Sequence, residues 1–269
     1  MSAFTEPRFA WEPVTPRGVA AFARASFARF VGVQSGVALL AAASIVWLLA
    51  TDFFPTVDAA IGQLPDTADI NDGKLNWPED SPKLIAEGDF LAFSVDSNHS
   101  GRLRSPAQFQ FEFGDNSLCI YSLFGTAEIF YPPDQSFYFD RPDVQPLWGA
   151  WRPEILGLIF IVGFLGLLLS WALLATAYFL PVWLISFYTN RDLNFRQSWK
   201  LAGAALMPGA LLMSLGIVFY GLGAFDVVQL CFAFAMHLVI GWIYLFVSVL
   251  FLNRALPTEK KNPFLPKGK

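Results

Sequence analysis

The sequence has few of the residues from which most enzyme and metal sites are built. Its 269 residues include two cysteines and two histidines, and 15% of them are charged. Neither Cys119 nor Cys231 has a CxxC partner, and both are most simply buried packing residues. An HExxH helix, a GxSxG elbow and a glycine-rich phosphate loop are all missing. We therefore predict no catalytic residue, no cofactor and no metal site, and expect a protein that is not an enzyme.

Apolar residues dominate instead, at 55% of the chain. This is too apolar for an ordinary soluble domain. The residues are concentrated in uncharged runs, of which the shortest, Phe30–Ala50, has 21 residues. At about 1.5 Å per residue, that length crosses the roughly 30 Å hydrocarbon core of a bilayer. The runs predict four transmembrane helices, at residues 30–51, 153–188, 201–223 and 227–252.

The second apolar run, Ile155–Tyr188, is long enough to raise the alternative of two spans. Gly163 and Gly166 are weak evidence for a turn, and Pro181 lies near the far end, where it would kink or end the helix. We therefore favour one long helix. The first run could instead be a signal peptide, but it is longer than a usual signal core, so we expect an uncleaved anchor.

Basic residues mark three segments outside the spans, and four spans place all three on one side. By the positive-inside rule, residues 1–29, 189–200 and 253–269 are then cytoplasmic, including both chain termini. We expect a multi-pass protein of the bacterial cytoplasmic (inner) membrane. The basic residues are Arg8, Arg17, Arg24, Arg29, Arg191, Arg196, Lys200, Arg254, Lys260, Lys261, Lys267 and Lys269.

The segment between the first two spans is acidic, with 17 carboxylates against 6 basic side chains over residues 52–154. We assign residues 52–152 to a folded extracytoplasmic domain. Asp72-Gly73 predicts a hairpin turn, and residues 91–95, 109–113, 118–123 and 127–131 read as strands after a short helix near Asp58. The predicted fold class is thus an α-helical integral membrane protein with four transmembrane helices. A small, mainly antiparallel β (α+β) domain with one aromatic face is inserted between helices 1 and 2.

Two features could have carried metal or ligand chemistry in this domain. Four carboxylates, Asp66, Asp69, Asp72 and Asp80, raise the alternative of a Ca²⁺ site, but they lack the ligand spacing of a known calcium loop. His99 lies in the polar turn Asn98-His99-Ser100, to which we assign no chemistry. Because Cys119 and Cys231 should lie on different sides of the hydrocarbon boundary, no disulfide is expected between them.

The fourth span carries the main intramembrane candidate. Gln229, Ala233, His237 and Gly241 recur every four residues, which predicts a polar or small stripe facing other helices. An ionisable residue in a span is a functional candidate by default, for example as a proton relay. The simpler interpretation is a neutral imidazole bonded to a neighbouring polar side chain. We favour this structural role for His237, since no Asp, Glu, Lys or Arg lies within a span, except near its ends, to exchange a proton with it.

Small residues at four-residue spacing recur in three spans. They predict close approach of helix backbones, either within the chain, which we favour, or between two copies. The residues concerned are Gly32, Gly36, Gly166, Ser170, Ala205 and Gly209.

Two stretches carry a family resemblance. Leu64–Leu75 with Ser81-Pro82 and Phe90–Asp96 resembles the extracytoplasmic domain of a bacterial membrane family of unknown function, some of whose members are labelled maltodextrin-utilisation proteins. Leu193–Leu201 followed by Leu206-Met207-Pro208 resembles the loop-to-helix segment of the wider Yip (Ypt/Rab-interacting protein) superfamily. The resemblance spans roughly residues 30–255 and implies the order anchor, outer domain and helical bundle. It implies no activity and no catalytic residues. A Rab-binding role of the eukaryotic members is not expected of this chain, because those members lack a comparable large outer domain.

These observations favour a non-enzymatic membrane protein that binds or regulates a partner. The expected partners are the lipid bilayer, a membrane or extracytoplasmic protein and a second copy of the chain, and no nucleic acid. The first alternative is a transport or channel component, for which His237, Gln229 and Pro208 would line a path. The second is a membrane-bound enzyme with a site in the outer domain.

Overall fold

A computed structural model describes residues 7–254. The basic tail residues Lys260, Lys261, Lys267 and Lys269 lie outside this range, as do the first six residues. Seven α-helices and eight strands follow one another along the described chain. The helices are α1 (Pro16–Phe22), α2 (Phe27–Leu48), α3 (Phe54–Gly62), α4 (Arg141–Tyr188), α5 (Phe195–Ala204), α6 (Met207–Gly221) and α7 (Val227–Leu250). The strands are β1 (Asp69–Asn71), β2 (Lys74–Asn76), β3 (Lys83–Glu87), β4 (Leu91–Val95), β5 (Phe109–Phe113), β6 (Ser117–Ser122), β7 (Gly125–Phe130) and β8 (Phe137–Tyr138).

Four helical stretches are long and apolar enough to cross a membrane, which confirms the predicted number. The first joins α2 to α3 through a π-helical segment, Leu49–Phe53, so that the helix continues well past the apolar run. The second is the single 48-residue helix α4, which confirms one long helix rather than two spans and runs through Pro181 without ending there.

The third stretch comprises α5 and α6. It begins at Phe195, earlier than the apolar run suggests, because Asn194 and Gln197 form a reciprocal capping box. The helix is interrupted at Ala205 and Leu206 and resumes at Met207. Pro208 therefore lies in the first turn of α6, where its missing N–H costs little.

The described chain divides into two compact units. The first comprises residues 7–40, 164–213 and 232–254. Its core is built from buried side chains of α1, α2, α4, α5, α6 and α7. Phe30 is the centre of an aromatic group there, with ring centroids 6.3 Å from Phe22 and 5.8 Å from Trp199. The buried Lys200 ammonium donates to the Ala25 carbonyl at 2.5 Å, so this charge is not left without a partner.

The second unit comprises residues 41–163 and 214–231 and contains both sheets. One has the strand order β2-β1-β8, and the other β3-β4-β5-β6-β7. Asp72 and Gly73 join β1 to β2 with φ values of 50° and 74°, the left-handed turn that an Asp-Gly pair predicts. All the strand pairs are antiparallel except β4 with β5, which are parallel.

The larger sheet has one aromatic and one polar face, because side chains alternate along each strand. Phe109, Phe111 and Phe113 lie on the aromatic face and are only partly buried. Gln110 and Glu112, on the other face, are the buried residues, with Glu112 fully inaccessible to solvent. The parallel pairing explains this, since the crossover segment from Asp96 to Gln108 returns over the polar face.

Candidate functional site

Three strands bring chemically active side chains into one row on the polar face of the larger sheet. Glu112 of β5 lies directly opposite Cys119 of β6, and Cys119 lies directly opposite Glu128 of β7. Ser117 and Tyr121 belong to the same face, two residues to either side of Cys119. Because directly opposite residues in an antiparallel pair have β-carbons about 5 Å apart, the register alone places these groups within reach of one another.

The crossover segment adds His99 to this row. His99 has a φ of 47°, in the left-handed region, within the turn after β4. The buried Asp96 holds that turn: its carboxylate accepts hydrogen bonds from the Ser100 amide at 2.8 Å and from the Ser100 hydroxyl at 2.7 Å. The imidazole packs on Gly114, where a β-carbon would overlap the ring. His99 is therefore held in place from both sides.

Glu112 is the centre of the hydrogen-bonding network. Its carboxylate accepts from His99 Nδ1 at 2.8 Å, from an Arg104 guanidinium nitrogen at 2.9 Å and from the Tyr121 hydroxyl at 3.1 Å. The Arg104 guanidinium also lies 3.9 Å from the centroid of the Tyr121 ring. A buried carboxylate needs such partners to remain charged, so the network anchors the crossover segment to the sheet.

The other ring nitrogen of His99 faces a second group of side chains. His99 Nε2 lies 3.1 Å from Ser117 Oγ and 3.7 Å from Cys119 Sγ, and Ser117 Oγ donates to Glu128 at 2.8 Å. One ligand-type atom from each of His99, Cys119 and Glu128 lies within 4.8 Å of the other two.

Burial changes the acidity of two groups in this cluster. It raises the pKa of the Cys119 thiol, and the nearby Glu128 and Glu112 carboxylates act in the same direction. Burial likewise raises the pKa of Tyr121, and the Glu112 charge adds to the effect. Both side chains are therefore protonated at neutral pH in the ion-free site.

The residues of the stripe predicted on the fourth span lie in different environments. Gln229 is exposed, and it exchanges side-chain to backbone hydrogen bonds with Asp226 at the start of α7. His237 is partly buried, and its Nδ1 contacts the Phe234 carbonyl of its own helix. Gly241 is buried, and a β-carbon there would lie 3.6 Å from a Leu206 methyl group. Within residues 7–254, no ion pair involves His237.

The predicted helix-packing residues also differ in their surroundings. A β-carbon at Gly209 would overlap the His237 carbonyl oxygen, so α6 and α7 approach closely there. Ala205 is fully buried, while Ser170 bonds to the Leu167 carbonyl of its own helix at 2.8 Å. At Gly32, Gly36 and Gly166, no described atom lies within 4 Å of the β-carbon position.

From sequence, His99 is predicted only as part of a polar turn, and the Glu112 network is not predicted. Glu112 alternates with phenylalanines, which is the pattern of a solvent-facing carboxylate on a half-buried strand. Glu112 is buried instead because the crossover segment between the parallel strands β4 and β5 covers it, and this long-range feature cannot be seen in the local pattern. The row of Cys119 and Glu128 likewise depends on the β6–β7 register. A weaker signal was available in the spacing of Cys119 and Glu128 on either side of the Leu123-Phe124 turn.

No protein-family model, characterised protein or solved structure matches this chain.

Proposed function

We propose that this chain is a four-span protein of the bacterial cytoplasmic membrane, with both termini cytoplasmic and the β-rich domain outside, and that this domain binds a partner protein. Membership of the Yip-like bacterial family, inferred from the motifs, is part of the proposal. An uncharged row of exposed apolar side chains on α4 supports insertion, because lipid acyl chains would cover such a row favourably. The row comprises Leu158, Val162, Leu165, Leu169 and Leu173, each more than half exposed.

The observation that carries partner binding is the free edge of the larger sheet. Among residues 7–254, strand β7 pairs with β6 alone, and all six of its residues are exposed. At the C-terminal end of β7, the side chains of Ile129 and Phe130 are 53% and 69% exposed. Long exposed edges with apolar side chains are templates for strand addition, and natural proteins usually shield them. We assign this edge to an extended segment of a partner protein, which would add a strand beside β7.

The register identifies the backbone groups that such a segment would use. The Tyr131 amide donates to the Asn116 carbonyl, so the amides of residues 125, 127, 129 and 131 point toward β6. The amides of Thr126, Glu128 and Phe130 therefore point toward the free edge. Proline at position 126 removes one outward donor without breaking the β6–β7 ladder, whereas Thr126→Ala keeps it.

The test is photo-crosslinking in intact cells with a photoreactive phenylalanine analogue at position 129. We expect one discrete crosslinked protein, which is retained with Thr126→Ala and lost with Thr126→Pro. The absence of any product, or a product that survives Thr126→Pro, would contradict strand addition at this edge.

Membrane threading is tested separately with reporters. We expect alkaline phosphatase inserted near Ser105 to be active and a fluorescent protein fused after Lys269 to fluoresce. An inactive phosphatase or a dark fusion would refute the orientation.

A further inference from the structure

We propose that His99, Cys119 and Glu128 form a Zn²⁺ site on the polar face of the outer sheet. The three side chains supply a nitrogen, a sulfur and an oxygen atom within 4.8 Å of one another. With Zn–N of about 2.0 Å and Zn–S of about 2.3 Å, tetrahedral geometry places N and S about 3.5 Å apart. The distance from His99 Nε2 to Cys119 Sγ is 3.7 Å, so one ion fits both atoms with little movement.

The ligands come from firmly held positions. Cys119 and Glu128 face each other across the β6–β7 pair, and the Asp96-capped turn fixes His99. Cys119 is buried while Glu128 is exposed, so the site opens toward solvent on one side. Three protein ligands and an open fourth position, which water would fill, are an arrangement that zinc commonly adopts.

Glu112 supplies the second shell. Metal-bound histidines usually donate their other ring N–H to a carboxylate, which fixes the tautomer and orients the ring. His99 Nδ1 lies 2.8 Å from Glu112 Oε1, so the proton belongs on Nδ1 and the Nε2 lone pair is directed toward Cys119 and Ser117. Arg104 and Tyr121 hold Glu112 in this position in turn.

The donor set selects the ion. A thiolate, an imidazole and a carboxylate suit Zn²⁺, whereas Ca²⁺ and Mg²⁺ require oxygen ligands. On binding, the Cys119 S–H bond breaks, its proton leaves to solvent and the sulfur bonds to zinc. This departs from our expectation from sequence, in which no metal ligand was assigned.

The Ser117 hydroxyl leaves the His99 Nε2 lone pair available to the ion. It gives its single hydrogen to Glu128 at 2.8 Å, so it does not donate to Nε2, which lies 3.1 Å from Ser117 Oγ.

The test uses the full chain, purified in mild detergent, stripped with chelator and dialysed against Co²⁺ or Zn²⁺. We expect one metal ion per chain and, with Co²⁺, a thiolate-to-cobalt charge-transfer absorption. Cys119→Ser should abolish the absorption, while Cys231→Ser, which alters the other cysteine, should leave it unchanged. Glu128→Gln should weaken binding at least tenfold, and Glu112→Gln about 10- to 100-fold.

Two results would overturn the site: no retained metal in the unmodified chain, or a charge-transfer absorption that persists in Cys119→Ser. Because Glu128 is exposed, Glu128→Gln should fold even if Cys119→Ser does not, and its circular dichroism and melting temperature verify this. If Glu128→Gln folds and binds metal as tightly as the unmodified chain, the assignment of Glu128 as a ligand is wrong. The strand-addition experiment is independent of this outcome.

Discussion

Glu112 joins the crossover segment to the larger sheet through its side chain. It is fully buried and accepts hydrogen bonds from three side chains, two of which belong to the crossover segment. We expect Glu112→Gln, measured without metal, to destabilise the domain by about 1–3 kcal/mol, because charge-assisted bonds are lost inside the protein. The half-exposed position of Arg104 keeps the cost below that of a completely buried ion pair.

The measurement is the melting temperature of the chelator-treated chain in detergent, where each kcal/mol corresponds to roughly 2–4 °C for a protein of this size. Glu79→Gln is the matched control, since Glu79 pairs with Lys83 on the surface. It should change stability by less than about 0.5 kcal/mol. Equal melting temperatures for the two variants would show that the Glu112 network does not stabilise the domain.

At the residue scale, the features that can be predicted from the sequence are those that a local residue pattern determines. The Asp72-Gly73 turn is recognisable because its left-handed φ values require those residue types. The role of Glu112 is not, because its environment comes from Arg104 and His99, which reach it through a loop that no local pattern specifies. The role of Cys119 cannot be predicted either, because the local sequence does not show which side chains lie beside it in the folded domain.

Among the helices, α6 and α7 approach each other closely at Gly209. Adding a β-carbon there would overlap backbone, the His237 carbonyl oxygen, which cannot rotate away as a side chain can. We therefore expect Gly209→Ala to separate the two helices and to destabilise the bundle by about 1–3 kcal/mol, as overpacking does in other cores.

Gly166→Ala provides the comparison for Gly209→Ala within the same unit. Gly166 has open space around its β-carbon position and lies inside α4. Alanine is the better helix former, so stability should be unchanged or rise by up to about 1 kcal/mol. Resistance to thermal unfolding in detergent measures both variants. A tolerated Gly209→Ala would mean that α6 and α7 are not in contact at this glycine.

At the element scale, the long helices and the strands β4 to β7 could be predicted because hydrophobic length and alternation are local signals. Strand β3 could not, since its charged ends resemble a loop, and β8 has only two residues. The parallel pairing of β4 with β5 is also invisible locally. It depends on a crossover without a helix, whereas parallel strands are usually joined by one.

At the scale of the whole second unit, contacts orient the larger sheet relative to the ends of two long apolar helical stretches. Phe90, just before β4, stacks on Phe53 at 5.5 Å and packs on Tyr220 at 4.6 Å. Tyr220 also donates a hydrogen bond to Gln108, just before β5. Under the proposed threading, Phe53 and Tyr220 lie at the outer ends of the first and third spans. With that threading, we expect the beginnings of β4 and β5 to face the membrane.

The register carries this orientation across the sheet to the β6–β7 hairpin. Phe109 lies opposite Ser122, and Ser122 lies opposite Gly125, so the turn at Leu123 and Phe124 is at the same end of the sheet as the beginning of β5. These two side chains are 66% and 75% exposed. Residues 121–127 carry no charge, although they belong to the most acidic part of the chain. We expect the turn to insert its two apolar side chains into the bilayer interface.

A chain with the substitutions Phe124→Cys and Cys231→Ser can be labelled at position 124 with an environment-sensitive dye, while the buried Cys119 stays unlabelled. In liposomes, lipids with a nitroxide headgroup should quench this dye strongly, because the turn lies within a few ångströms of the headgroups. A dye on Asn116→Cys, at the opposite end of β6, should be quenched weakly, since six residues of strand extend about 20 Å. Equal quenching at the two positions would mean that the hairpin does not face the bilayer, even if the chain spans it as proposed.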